Sequence, residues 1–206
     1  MFTVCWAAKG GSGTTVVTAT LALSCRTPTL LVDLAGDLPM ALGLPTPEGP
    51  GLGEWSSSTA PASRLDALRI PLAPHLDLLP RGHRPPIARW RELSEHLATR
   101  QAAVFVDAGT GAPPPELCAA ADRTLLVTRP CYLAVRRAVD SRQVVDGIVL
   151  VEEPGRALGV DDIETALGAP VVCHLLLDPA VARAVDAGLL LAKLPGAYRR
   201  GLEVAA

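Results

Sequence analysis

The stretch Lys9-Gly10-Gly11-Ser12-Gly13-Thr14-Thr15 constrains this chain more than any other. It joins one apolar run, residues 2–7, to a second, residues 16–23. A strand, a glycine-rich turn and a helix in that order form the context a phosphate-binding loop requires. Glycines let the backbone bend round an anion, so that successive N–H groups point at it. The helix behind the turn directs the positive end of its dipole at the same spot. The general pattern of such loops is G-x-x-x-x-G-K-[ST]. Gly13 and Thr15 fit it, but Thr14 stands where the lysine belongs, and another lysine, Lys9, opens the loop.

Two further apolar runs, 29–33 and 102–107, end in acids, Asp33 and Asp107. A continuous apolar run of that length reads as a strand buried on both faces, with a functional group at its carboxyl end. Beyond them, short strands are expected at 70–72 and 76–79, and longer ones at 123–128, 147–151 and 171–177. Helices are expected at 14–25, 52–57, 62–68, 86–99, 114–121, 132–141, 161–167, 180–187 and 197–204. In the helix at 86–99, Ile87, Trp90, Leu93 and Leu97 recur near helical spacing and should form its core stripe. This alternation predicts an α/β protein, a mostly parallel doubly wound sheet with helices on both faces. Neither a repeat nor a second domain interrupts residues 1–206, so one nucleotide-binding domain is expected.

Composition agrees with a buried parallel sheet. Hydrophobic residues make up 49% of the 206 and charged residues 19%, with few aromatics. The net charge of −2 is not that of a protein wrapped around nucleic acid. A local basic cluster does occur, at Arg81, His83, Arg84, Arg89 and Arg91; its plainer reading is a solvated helix face. The five cysteines are widely spaced and odd in number, which reads as reduced thiols in a cytoplasmic protein. The first strand starts at once, leaving no room for a leader peptide, and no apolar run reaches membrane-spanning length.

The loop resembles that of the ParA/MinD group of ATPases, whose deviant form of the phosphate loop reads K-G-G-x-G-K-[ST]. Six of the seven positions agree. The phrase Asp107-Ala108-Gly109-Thr110-Gly111 is similar to the family's D-T-P-P-G at the Walker B strand. The stretch from Ala121 to Thr128 is similar to the family's next segment, and the narrower likeness is to the CpaE/TadZ branch tied to pilus assembly. This resemblance implies ATP and Mg2+ as ligands. It implies a phosphate cradle from Gly10, Gly11, Ser12, Gly13, Thr14 and Thr15, with the Thr15 hydroxyl on the metal. Asp33 and Asp107 would hold the metal or its waters. Lys9 would reach across a homodimer to the phosphates of the other subunit's nucleotide.

Three departures modify that expectation. Thr14 removes the lysine that acts within its own subunit. The family's D-x-D at the end of the second strand reads Asp33-Leu34-Ala35 here, so the second acid is absent, and Asp37 is the candidate to replace it. The Asn-Arg pair that contacts the base is replaced by Glu152 and Glu153, with Asp178-Pro179 on a neighbouring loop as further help. A charge-assisted phosphate contact contributes about 1.5–3 kcal/mol, so binding should weaken while the backbone cradle survives. Hydrolysis should suffer more, since a cation at the transferring phosphoryl contributes about 10³–10⁵ in rate.

The expected function is therefore an ATP-dependent dimerising switch with weak or absent hydrolysis, serving protein localisation or pilus or secretion assembly through a partner such as a secretion ATPase. The alternatives are an active positioning ATPase on nucleoid DNA or membrane and a nucleotide-free adaptor. A ligase of the dethiobiotin-synthetase type, which shares the fold, would need the missing lysine. A membrane role is disfavoured because the tail around Tyr198, Arg199 and Arg200 is short and broken by Gly201.

Overall fold

Period-two alternation within the apolar runs decides the layering. In a computed structural model describing residues 1–194 and 196–202, the runs form eight strands. They are β1 (Phe2–Ala7), β2 (Thr29–Asp33), β3 (Ile70–Ala73), β4 (Leu76–Leu79), β5 (Ala103–Thr110), β6 (Arg123–Thr128), β7 (Gly147–Glu152) and β8 (Val171–Leu176). Their order across the sheet is β3-β4-β2-β5-β1-β6-β7-β8. Every neighbouring pair is parallel except β3 with β4. Strand order turns around at β1, so the crevice beyond its carboxyl end is where such sheets bind ligands.

Helices cover both faces. Cys5, Leu31, Phe105, Leu125, Val127 and Val149 point to one side. There they meet α1 (Thr14–Ser24), α2 (Leu38–Leu42), α8 (Pro179–Asp186) and α9 (Gly196–Leu202). Val4, Leu30, Val32, Val104 and Val106 point to the other. That side is covered by α3 (Leu52–Ser56), a 3₁₀ helix (Ala62–Leu68), α4 (Trp90–Ala98) and α5 (Pro115–Ala120). Farther along the same side lie α6 (Tyr132–Ser141) and α7 (Val160–Leu167), against Ile148, Leu150 and Leu126. Helix α1 is buried almost all round, and its threonines avoid stranded hydroxyls by bonding back four residues. Thr18 donates to the Thr14 carbonyl at 2.8 Å and Thr20 to that of Val16 at 2.7 Å. No helix among the described residues is long and apolar enough to cross a membrane.

Four sequence expectations need correction. The helix expected over 86–99 begins at Trp90, because the tandem prolines at 85 and 86 hold the preceding backbone extended. Arg89 enters the helix in the left-handed region at φ 62°, and Ile87 is 74% exposed rather than in the core stripe, whereas Leu93 and Leu97 are buried. The segment 62–68 is 3₁₀ rather than α, with a single buried side chain, Leu65. Strand β5 runs on to Thr110, which pairs with Ala7 past a register shift. Helix α2 has no counterpart in the sequence reading. The last helix spans Gly196–Leu202; the expected continuation to 204 and the side chains of Arg199 and Arg200 lie outside the described residues.

Just past the ends of α2 and α8 the chain meets glycine to glycine. Gly43 closes α2 at φ +76°, and a Cβ there would stand 1.9 Å from the Gly188 carbonyl oxygen. Gly168, which closes α7 at φ +66°, has nothing within 4 Å of such a Cβ. Gly168→Ala should therefore cost only the left-handed backbone term, about 1–2 kcal/mol. Gly43→Ala adds a backbone clash and should melt at least about 4 °C lower than Gly168→Ala by circular dichroism. Equal melting temperatures would mean the two helix ends are not packed this way.

Candidate functional site

The loop between β1 and α1 is shaped by two backbone positions that a side chain would resist. Gly11 and Gly13 have φ of +78° and +97°, and both have open space beside them. Conformation, not room, demands glycine there. The Ser12 hydroxyl closes the turn by donating to the Lys9 carbonyl at 2.8 Å. Gly13 is the N-cap of α1; it offers no side-chain cap, and the first turn has no acid. The helix thus presents its first N–H groups and the positive end of its dipole towards the loop, with no side chain competing for them. Thr14 is buried, at 7% exposed.

The two strand-end acids lie side by side. Asp33 on β2 and Asp107 on β5 are register partners. By alternation they share the face of Leu31 and Phe105, which is the α1 face, and both are fully buried. Gly36 donates its N–H to Asp33 Oδ1 at 2.6 Å, and Gly109 donates to Asp107 Oδ1 at 3.0 Å. The Thr15 hydroxyl is near enough to Asp107 to favour its charged form. The second oxygen, Oδ2, of each carboxylate is buried without a partner. Burial pushes Asp33 up to about 7, with the neighbouring Asp107 raising it further and Arg81 opposing. Burial likewise pushes Asp107 up to about 6, against the nearby Thr15 hydroxyl and the Gly109 N–H. Two orphaned carboxylate oxygens beside a hydroxyl fit a hard cation. No group of three or more His, Cys, Asp or Glu side chains gathers among the described residues. Magnesium suits a set this sparse, since it takes one or two carboxylates and completes its shell with phosphate oxygens and water.

A cavity of about 810 Å³ opens in front of the loop, lined by residues 11–16, by Ala35, Asp37 and Met40, by Arg81, and by the strand end at 108–110. A smaller cavity of about 230 Å³ lies on the other side of α1, and Gly13, Val16 and Val185 line both. Arg129, Val151, Asp178 and Tyr198 line the smaller one. The dimensions suit a nucleotide with phosphates in the larger space and base in the smaller.

The sequence candidates divide accordingly. Gly11, Ser12, Gly13, Thr14 and Thr15 wall the larger cavity, Gly10 sits behind them against Thr110, and Asp37 faces the same space. Lys9 does not line it; its ammonium group turns to the Gly10 carbonyl at 3.3 Å, in solvent. Asp178 walls the smaller cavity while capping α8 through the Ala180 N–H at 2.7 Å. Glu152 lines neither; its carboxylate meets His174 on β8 at 2.5 Å. The basic cluster is dispersed. Arg89 stacks over Trp55 at 4.1 Å and binds the carbonyls of Ser58 and Ala60, and Arg84 approaches Glu54 at 3.7 Å. Arg81 faces the larger cavity, and sequence reasoning missed it there. The signal was available, because Arg81 follows the carboxyl end of β4 as Asp33 ends β2.

No protein-family model and no curated protein sequence matches the chain. Solved structures do. MinD of Aquifex aeolicus, a cell division protein, superposes with a TM-score of 0.77 at 21% identity, covering 100% of this chain and 95% of its own. MinD of Pyrococcus horikoshii, in complex with Mg-ADP, gives 0.77 at 15% identity, covering 99% and 94%. A ParA family ATPase of Chlorobium tepidum gives 0.70 at 21% identity, covering 97% and 96%. At these identities the likeness is one of fold, and the fold is the doubly wound P-loop sheet of those proteins.

The acid pair ties stability to pH. Both carboxylates bind protons more tightly in the folded chain than at their ordinary value of 3.8. Their contribution is therefore complete below that value and is lost as pH rises through about 6 and about 7. The metal-free protein should melt lower at pH 8 than at pH 5. Asp33→Asn should flatten that difference and raise the pH 8 melting temperature by at least about 3 °C. A melting temperature lowered by Asp33→Asn at pH 8 would contradict the assignment.

Proposed function

We propose that the chain is a nucleotide-dependent dimerising switch of the ParA/MinD kind, carrying a degenerate deviant Walker A loop. It binds ATP with Mg2+, turns it over slowly or not at all, and works in protein localisation or pilus or secretion assembly, in the manner of the CpaE/TadZ branch. The observation that carries this reading is the loop facing an 810 Å³ cavity, with the buried acids Asp33 and Asp107 next in the chain to Leu34 and Ala108 of its wall. The backbone N–H groups of Gly10 to Thr15 would hold the phosphates. The Thr15 hydroxyl, with Asp33 and Asp107 behind it, would hold the metal. Asp37, on the cavity wall, is positioned to orient a water.

Two features support a switch over a fast enzyme. Thr14 supplies no charge where the general loop pattern has lysine. Lys9 is turned out of its own cavity into solvent, the disposition that a contact made across a dimer requires. The bound nucleotide supplies charge between the two copies, and Lys9 of each copy supplies the complementary cation.

Light scattering after size exclusion tests this directly. The wild-type chain should be monomeric without nucleotide or with ADP, and dimeric with Mg2+ and a non-hydrolysable ATP analogue. Lys9→Ala should bind the analogue and remain monomeric. A chain that stays monomeric yet binds the analogue tightly would count against the dimer, and one that binds no nucleotide would be an adaptor. Thr14→Lys, by restoring a charge-assisted contact, should tighten MgATP binding by roughly 10- to 100-fold in a calorimetric titration. An unchanged affinity would show that Thr14 does not face the phosphates.

A further inference from the structure

The chain lacks the loop lysine, and its other loop cation, Lys9, faces solvent. Yet the larger cavity is not without positive charge. Among the described residues lining it, Arg81 alone carries a cation. Arg81 leaves the sheet two residues after β4, beside β2, and reaches back over the loop that continues from Asp33. Its Nη1 donates to the Ala35 carbonyl at 2.7 Å. The guanidinium lies flat against Gly36, where a Cβ would come within 2.2 Å of its carbon. Gly36 adopts φ +93° there, and the same residue gives its N–H to Asp33. Glycine is therefore required twice over, for its backbone angle and for the space the arginine fills. A guanidinium built into a wall in this way has lost much of its rotamer freedom before any anion arrives.

Its donors are only partly spent. Nε is buried without a partner, and Ala35 is the one acceptor bonded to the side chain among the described residues. The same group lines a second space of about 290 Å³ that holds Asp33 and His83, so it forms the partition between the metal-side acid and the phosphate cavity. Its direction is set by the two cavities flanking the loop. Arg129, Asp178 and Tyr198 wall the smaller one beyond Gly13, and Arg81 stands at the opposite end, past the loop. A nucleotide with its base in the smaller space sends its terminal phosphate towards Arg81.

We infer that Arg81 is a phosphate-binding residue that contacts the terminal phosphate of a bound nucleoside triphosphate, supplying from β4 part of the charge the loop has lost at Thr14. This rests on the nucleotide-binding reading above. An arginine pinned to Ala35 and Gly36 presents a fixed fork, which suits phosphate better than a mobile lysine would at that distance.

The test compares fluorescent mant-ATP with mant-ADP, both with Mg2+, on the wild-type chain, Arg81→Gln and Arg81→Lys. Arg81→Gln should weaken mant-ATP by roughly 10- to 100-fold, the range of a charge-assisted contact, and leave mant-ADP within about threefold. Arg81→Lys should fall between the two. An equal loss for both nucleotides, or no loss, overturns the inference while leaving the proposed function standing. A wild-type chain that binds neither nucleotide overturns both. Should Arg81→Gln fail to fold, the wild-type chain answers alone. Phenylglyoxal labelling of Arg81, mapped by mass spectrometry, should be blocked by MgATP and not by MgADP; equal labelling under both sinks the claim.

Discussion

The burial of two carboxylates on adjacent parallel strands governs this molecule. Asp33 and Asp107 sit in register at the ends of β2 and β5, fully covered. Loss of hydration raises the affinity of both for protons, and the charge of Asp107 raises that of Asp33 further. The chain meets that cost locally. Each acid receives a backbone N–H from a glycine two or three residues further on, Gly109 or Gly36, and each of these glycines has positive φ. The turns after β2 and β5 are therefore shaped by the acids that precede them. What the turns leave undone is one bare oxygen on each acid, aimed at the α1 face where the loop lies.

The loop and the acids reach one another through α1. Thr15, in its first turn, brings its hydroxyl close enough to Asp107 to favour the charged acid. Farther along, Thr18 and Thr20 satisfy themselves within the helix, which lets a polar sequence lie buried against the sheet. Sheet order then does the rest. Because β5 is inserted between β1 and β2, Asp107 and Asp33 fall in turn on one side of the loop. The smaller cavity falls on the other side, towards β7 and α8.

Much of this was legible in the sequence because it depends on local chemistry. Apolar runs ending in Asp33 and Asp107, and glycines before a threonine-rich helix, identify strands and loop without tertiary information. The failures at the site concern long-range contacts. Nothing local says that Glu152 will be drawn to His174 on the next strand, or that Arg89 will stack on Trp55 rather than join a surface patch. Helix α2 escaped notice because its five residues carry too short a pattern, and its packing comes from α1 and α8. Along the chain Arg81 belongs to a basic cluster, whereas its place in space is set by β4 lying beside β2.

The loss at position 14 changes the balance of charge more than it changes the architecture. Thr14 is buried, and its carbonyl accepts from Thr18 whichever side chain it bears, so the loop keeps its shape without an ammonium group. The charge on the cavity does change. Asp37 lines a space, with Asp33 and Asp107 buried beside its walls, whose one lining cation among the described residues is Arg81. Wherever the buried acids are ionised they would repel a polyanion entering that space, the more strongly the lower the dielectric between them. Backbone N–H groups offset this in part, as dipoles rather than full charges. A loop lysine would make binding of the bare nucleotide tolerable. On the proposed reading, a divalent metal that neutralised the acids would take over part of that role, and metal and nucleotide would bind as a unit.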